Sequence, residues 1–333
     1  MLMTFVLIHP WKHEIRTCFR PLLYSQRLAM EYGDIDTAAD CLFHADSMVW
    51  CGSLSPLQVF SEQLDRHYQL CLDFKHRLRC EVYQIFALGL RRLCADNATF
   101  EWSDVPSACS TVSLSPAKES ALGDPIDKDP LLDAVRDALL LQAHLLLDEK
   151  EEALKLAHAN SDAEEALVGL VLVPRILFYC ALVFFNHASS GKKWRKHRKA
   201  GNQALLALKK KFVDRGHANC SHMVRLLEAE VARLKGDFQT ARMLYDDAIL
   251  RATRGWFTHD AGISNKCAGT FFLQINDPKR ACFHMEQAIK CFNDWGATAV
   301  SQRISTTHST LISAHSVSLF SLSIGKSNVS LLH

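Results

Sequence analysis

The sequence predicts an all-α protein, an α-solenoid of stacked helical hairpins, and three observations lead to this fold class. Apolar residues recur at three- and four-residue spacing along most of the chain, as on the buried face of a helix. Short breaks containing glycine, asparagine, aspartate or proline separate these runs. One hairpin pattern repeats in the C-terminal part. Repeated hairpins that bury their apolar faces against each other build a solenoid.

The repeat is clearest in residues 222–299, which we predict to form a C-terminal pair of hairpins. A first helix is predicted at 222–234, followed by the break at Gly236-Asp237. The segment from Gly236 to Ala248 matches that from Asn276 to Ala288 position for position, an offset of 40 residues (276 − 236). Small alanines at helix crossings, with bulky residues between them, are typical of tetratricopeptide hairpins, whose unit is about 34 residues. The predicted fold is therefore an α-solenoid of tetratricopeptide-like helical hairpins.

A copy of the same pattern lies near the N-terminus. Gly33-Asp34 is followed by Ala38 at the spacing seen in the C-terminal copies. Further helices are predicted from apolar periodicity at 18–30, 57–74 and 77–94. We therefore assign residues 5–94 to N-terminal helical hairpins.

The middle of the chain contains an irregular part and a second set of hairpins. Residues 95–130 are predicted to be an irregular linker or insertion, because they hold four prolines and many serines without a helical period. Residues 131–190 are predicted to form central helical hairpins. Within them, 166–185 is apolar enough to suggest a membrane span. Arg175 at its centre is costly in lipid, so we predict a buried helix at 174–187 and no membrane contact.

Residues 191–221 are predicted to be a basic segment and a helix. They include the strongest charge run of the chain, here called the basic patch: Lys192, Lys193, Arg195, Lys196, Arg198 and Lys199. Such a run is most often the solvated face of a loop or helix. The alternative is a nuclear localisation or phosphate-binding patch, with Trp194 as a stacking residue. Nucleic acid is thus a secondary hypothesis and not the expected partner.

Residues 300–333 are predicted to be a disordered tail, because serine and threonine are frequent there and no helical period is visible.

The composition of the whole chain indicates which classes of partner it attracts. The 333 residues include 38 basic and 36 acidic ones and carry a net charge of +2, which gives no general attraction to nucleic acid or membrane. The 12 cysteines form no C-x-x-C pair and fit reduced thiols in an intracellular protein. No targeting segment is predicted, so the expected location is the cytoplasm.

Motifs for catalysis or cofactor binding are missing from the sequence, including the phosphate-binding loop, the nucleophile elbow, the zinc-protease helix and the kinase catalytic loop. The best metal-like cluster is His217, Cys220 and His222, but a structural zinc site needs four ligands. We interpret this cluster as a loop before a helix, capped by Asn219 or Ser221. No catalytic residue, cofactor or metal is therefore predicted.

Several blocks of the chain resemble one family of large signalling proteins. The blocks begin at the Trp11-Lys12-His13-Glu14-Ile15-Arg16 entry, continue through Gly33-Asp34-Ile35 and Glu228-Ala229-Glu230-Val231, and end at Phe292-Asn293-Asp294-Trp295-Gly296-Ala297. Over residues 5–299 they resemble the tetratricopeptide-like helical region of multidomain proteins that also carry a serine/threonine-kinase-like domain, an AAA-type ATPase and often a sensor histidine kinase. The family's catalytic domains have no counterpart in this sequence. The resemblance implies a signalling context, with a protein partner or covalently linked signalling domains.

The expected function is a non-catalytic protein–protein interaction and regulatory module of signal transduction. Partner binding is predicted on the inner helices of the hairpins, at Leu227, Arg233, Asn265 and Lys266. One alternative is that the chain is a fragment of a larger kinase or ATPase polypeptide. A second alternative is a nuclear or nucleic-acid-binding helical protein that uses residues 192–199.

Overall fold

A computed structural model describes residues 2–94, 129–160, 167, 169–189 and 193–313. These residues form fifteen α-helices and no β-strand, so the fold is all-α as predicted. In the N-terminal part the helices are α1 (Leu2–Leu7), α2 (His9–Lys12), α3 (Phe19–Glu31), α4 (Ile35–Gly52), α5 (Leu57–Asp73) and α6 (Arg77–Leu93). In the centre they are α7 (Pro130–Leu146), α8 (Lys150–Ala159), α9 (Leu172–His187) and α10 (Trp194–Lys211). The C-terminal helices are α11 (Ser221–Lys235), α12 (Phe238–Arg254), α13 (Thr258–Gln274), α14 (Pro278–Trp295) and α15 (Thr298–Thr307).

Three hairpins share one local structure at the start of their second helix. The carboxylates of Asp34, Asp237 and Asp277 each accept a hydrogen bond from the backbone N–H three residues later, at 3.0, 3.1 and 3.1 Å. These bonds satisfy donors that a helix N-terminus leaves open. The residue before each cap has the left-handed backbone that favours glycine or asparagine, with φ of +74°, +81° and +59° at Gly33, Gly236 and Asn276. The 40-residue offset in the sequence therefore corresponds to a repeated structural unit.

Neighbouring helices pack as pairs along the chain. The pairs are α3 with α4, α5 with α6, α7 with α8, α9 with α10, α11 with α12, and α13 with α14. Contacts between α6 and α7 and between α12 and α13 connect successive pairs. One hydrophobic core runs through all of them, from Val6 in α1 to Ile304 in α15. The predicted segments at 5–94, 131–190 and 222–299 therefore share a core.

The first and last hairpins of the chain are in direct contact. The rings of Trp50 in α4 and Trp295 in α14 meet edge to face with centroids 6.2 Å apart. The Cys94 thiol donates a hydrogen bond to the Gly296 carbonyl at 3.4 Å. Gly296 has φ of +91°, and a Cβ there would lie 3.3 Å from the backbone nitrogen of Leu57. Glycine is required at this position for both the backbone conformation and the close approach.

The prediction of a disordered tail from residue 300 is wrong for α15. Val300 and Ile304 are buried, and the helix packs against α14 and α6. Its burial depends on α6, which is distant in the sequence, so the serine- and threonine-rich composition did not reveal it. The predicted linker at 95–128 and the end of the predicted tail at 314–333 lie outside the described residues.

The apolar stretch in the centre forms α9, which begins two residues before the predicted start at residue 174. It has 16 residues, and its Arg175 is buried among other helices. Within the described ranges, no helix is both long and apolar enough to cross a membrane.

Candidate functional site

The four residues predicted to bind a partner are engaged in contacts within the chain. Leu227 is completely buried in the core between α11 and its neighbours. Asn265 is buried in α13, where its amide donates to the Ala261 carbonyl at 2.9 Å and its Oδ1 lies 3.0 Å from the His284 Nδ1. Both side chains are therefore closed to a partner in this structure.

Arg233 and Lys266 lie nearer the surface but have acidic partners of their own. The Arg233 guanidinium donates to the Glu230 carboxylate at 2.7 Å and to the Gln274 side chain at 3.1 Å. The Lys266 ammonium lies 2.8 Å from the Asp148 carboxylate and donates to a carbonyl at the end of α7. These two cations hold α11, α13 and the α7–α8 turn together, so the structure gives them internal roles.

A buried charged network that sequence reasoning missed lies at the junction of α4, α9, α11 and α13. The Arg175 guanidinium forms an ion pair with the Asp260 carboxylate and donates a hydrogen bond to the Cys51 carbonyl. His222 Nε2 lies 2.6 Å from the same Asp260 oxygen. The side chains of Arg175, Asp260 and His222 are 5%, 0% and 3% exposed. A charge buried this deeply is stable only when paired, so each member depends on the others.

Aromatic rings enclose the network. The His222 ring stacks on Phe257 with centroids 4.4 Å apart, and the His259 ring stacks on Trp295 at 4.9 Å. A cavity of about 20 Å³ beside Arg175 has room for about one water molecule and for no larger ligand. No substrate can reach Asp260 through these contacts, so the network is suited to holding helices together.

Burial determines the protonation of this network. Burial lowers the pKa of His259 to about 3 and also lowers the pKa of His222, so both rings are neutral at pH 7. Burial alone would raise the pKa of Asp260, but the Arg175 guanidinium and the hydrogen bond with His222 hold it below its usual range. In α4, burial and then Arg79 lower the pKa of His44 to about 4.

These shifts predict loss of stability in mild acid. His44 and His259 take up a proton near pH 6.5 when unfolded, but only near pH 4 and pH 3 when folded. Their contribution is therefore complete above about pH 6.5 and is lost as the pH falls below it. At about pH 5 each histidine lowers the free energy of unfolding by about 2 kcal/mol relative to about pH 7.5.

Urea denaturation at the two pH values measures this difference. His44→Gln is expected to remove the share of His44, about 2 kcal/mol, because the other buried histidines with a lowered pKa, among them His222 and His259, still titrate. A free energy of unfolding that stays constant between the two pH values would contradict the assignment.

The metal-like cluster of the sequence does not come together. The His217 ring packs between Trp11 and Phe212, with centroids 5.1 and 5.2 Å away, whereas His222 contacts Asp260. Burial raises the pKa of Cys220 to about 12. In the part of the chain that the structure describes, no group of three or more histidine, cysteine or acidic side chains is arranged to hold a metal ion.

The buried cysteines are poor nucleophiles, because burial raises the pKa of their thiols. Burial raises the pKa of Cys18 to about 11 and that of Cys51 and Cys71 to about 12. A thiol is nucleophilic as the thiolate, and these groups remain protonated at neutral pH. The described cysteines are all free.

The basic patch lies on the outside of the molecule, in and before the first turns of α10. Lys193, Arg195, Lys196 and Lys199 are exposed, and Arg198 is half-buried. Lys192 lies outside the described residues. Trp194 is 40% exposed, and the Arg195 guanidinium covers its ring at 5.2 Å from the centroid. Among the predicted site residues, the basic patch is thus the group that the structure leaves open to solvent.

No protein-family model matches the chain, and no curated protein matches it.

Proposed function

We propose that the chain is a non-catalytic protein–protein interaction and regulatory module of signal transduction, built as an α-solenoid of tetratricopeptide-like hairpins. It would act as the helical segment between ATPase and histidine kinase does in large sensor proteins. Its partner is a protein or a covalently linked signalling domain, and its expected location is the cytoplasm. The observation that carries this proposal is the exposed cationic surface of α10, combined with an interior occupied by the chain's own side chains.

Polar side chains in the interior hold the helices together. Three of the inner polar residues form ion pairs or hydrogen bonds between helices, namely Arg175, Arg233 and Lys266. A partner that entered there would have to replace contacts that hold the fold together. The outer helix surfaces carry exposed apolar side chains instead, among them Leu206, Met243 and Leu250. Burying such exposed apolar side chains against a partner protein is favourable.

Site-specific photo-crosslinking tests the proposal. A benzophenone amino acid is placed at Leu206 on α10, at Met243 on α12 and, as a buried control, at Leu227. We expect illumination in the native host cell to give a discrete protein adduct from an exposed position and none from Leu227. If no exposed position gives a protein adduct, the interaction function is wrong. Turnover of ATP by the purified full chain would contradict its non-catalytic character.

A further inference from the structure

One face of α10 forms a continuous outer stripe. Its members follow each other at three- and four-residue spacing and are all exposed: Arg195, Lys199, Asn202, Leu206 and Lys210. At about 1.5 Å per residue, the stripe is about 22 Å long. The opposite face of the helix, with His197, Gly201 and Leu208, packs against the rest of the molecule. A shallow depression of about 380 Å³ lies beside the N-terminal part of the stripe, as far as Leu206, and is lined by residues of α10.

The stripe is strongly positive because α10 has no acidic residue. The helix contains Arg195, Lys196, Arg198, Lys199, Lys209, Lys210 and Lys211, and its first turn lacks an acid. Lys209 pairs with Glu228 at 2.9 Å, but within the described ranges no carboxylate pairs with Lys199 or Lys210. Cations near a helix N-terminus oppose the helix dipole and destabilise the helix slightly. The cations of the first turns therefore cost some stability, whereas Lys210 lies at the favourable C-terminal end, and the positive charge is available to a ligand.

The chemical character of the stripe changes along its length from cationic to uncharged and back to cationic. Two cations lie at its N-terminal end and Lys210 at its other end, with the uncharged pair Asn202 and Leu206 between them. Leu206 is 50% exposed, so its burial by a ligand would be favourable. A complementary ligand needs an apolar group at its centre and negative charges on both sides. An amphipathic helix with glutamate or aspartate flanking a leucine has this pattern over a matching length.

We propose that the outer stripe of α10 is the docking site for an acidic amphipathic helix of a separate partner protein. This inference rests on the proposed interaction function and names the chemistry of the partner. The acidic residues of the ligand pair with Arg195, Lys199 and Lys210. Its apolar residue packs on Leu206.

Nucleic acid fits the same stripe less well. Each strand of B-DNA places a phosphate about every 3.4 Å of duplex axis, so a nucleic-acid surface favours closely spaced cations along its whole length. On the stripe such cations occur only at the N-terminal end, and about 16 Å of helix with no cation of the stripe separates Lys199 from Lys210. Among the described residues that line the depression, Trp194 is the one aromatic residue, and Arg195 already covers one side of its ring. A base would have to stack on the remaining side alone.

Fluorescence anisotropy with the purified full chain tests the proposal. The probe is a fluorescein-labelled amphipathic peptide as long as α10, with glutamates on both sides of a central leucine. A second peptide carries glutamine in place of each glutamate, and a single-stranded and a double-stranded oligonucleotide are compared. We expect the acidic peptide to bind, the glutamine peptide to bind much more weakly, and added salt to weaken binding because it screens the charges.

Variants of the chain locate the site. The double variant Arg195→Gln/Lys199→Gln is expected to weaken peptide binding by about three- to tenfold, and Leu206→Gln by about tenfold. The matched controls Arg242→Gln/Lys279→Gln and Val59→Gln remove exposed residues from α12, α14 and α5 and should leave binding unchanged.

Three results would overturn the inference: no peptide binding, equal losses in the controls, or oligonucleotides that bind more tightly than the acidic peptide. Protein adducts from Met243 but not from Leu206 in the crosslinking experiment would retain the interaction function and reject the α10 site. The experiments therefore distinguish failure of the α10 docking site from failure of the interaction function.

Discussion

Replacing Arg175 with alanine is expected to lower the free energy of unfolding by about 3–5 kcal/mol. The substitution leaves the Asp260 carboxylate buried without its cationic partner and leaves the Cys51 carbonyl without its donor. The remaining neighbours of Asp260 are the imidazoles of His222 and His259, which burial keeps neutral. Urea denaturation of the full chain measures the change.

A double variant distinguishes two contributions to the loss of stability: the unpaired buried charge and the loss of packing. Arg175→Met/Asp260→Leu removes both charges and is expected to cost clearly less than the sum of the two single changes, because well-packed apolar groups replace buried ion pairs at little cost. The control is Arg136→Ala, since the ion pair of Arg136 with Asp133 is exposed and should contribute less than about 1 kcal/mol. An Arg175→Ala loss as small as that of Arg136→Ala would show that the network does not hold the helices.

Trp295→Ala is expected to cost about 3–5 kcal/mol as well, as large-to-small changes of buried aromatic residues do. Trp295 is 2% exposed and contacts the rings of Trp50 and His259. Trp50 in turn donates a hydrogen bond to Gln142 at 2.7 Å, which connects α4 to α7. The cavity left by the substitution would therefore lie where the first and last hairpins meet. Chemical denaturation followed by circular dichroism measures the loss.

Trp256→Ala provides the matched control, because Trp256 is 66% exposed and ends in solvent. This substitution should change the free energy of unfolding by no more than about 0.5 kcal/mol. Trp295→Phe, which keeps an aromatic ring, should fall between the two alanine variants. Equal stability of Trp295→Ala and Trp256→Ala would contradict the contact between the first and last hairpins.

The hairpins were predictable because their signals are local. A helix at 222–234 was expected and Ser221–Lys235 is observed, while 57–74 was expected and Leu57–Asp73 is observed. The glycine or asparagine before each capping aspartate determines the turn through its own backbone conformation. Such signals require only a few neighbouring residues.

The contacts between distant helices were not predictable from periodicity. Apolar spacing shows that a face is buried, but not which helix covers it. Arg175 and Asp260 are 85 residues apart, and no pattern connects them. The one available signal was a charge inside an apolar helix. It was interpreted as evidence against a membrane span, although a buried arginine equally requires a buried acid.

For the candidate binding residues too, the local pattern was predictable and the packing between distant helices was not. The basic patch was visible as a run of charge, but only the helix geometry places Arg195, Lys199 and Leu206 on one exposed stripe. The sequence predicts Leu227 and Asn265 as binding residues because they lie on inner helices of the hairpins. In the structure other helices bury both side chains, and α15 packs against α14 and α6.

Lysine acetylation footprinting tests most directly whether binding occurs on the outer surface and not in the interior. The full chain is acetylated with and without the acidic amphipathic peptide, and the modification rate of each lysine is followed by mass spectrometry. We expect Lys199 and Lys210 to react rapidly in the free chain and to be protected by the peptide. Lys266, paired with Asp148, should react slowly in both states, and exposed Lys279 rapidly in both. Protection that appears at Lys266 and not at Lys199 and Lys210 would contradict the account.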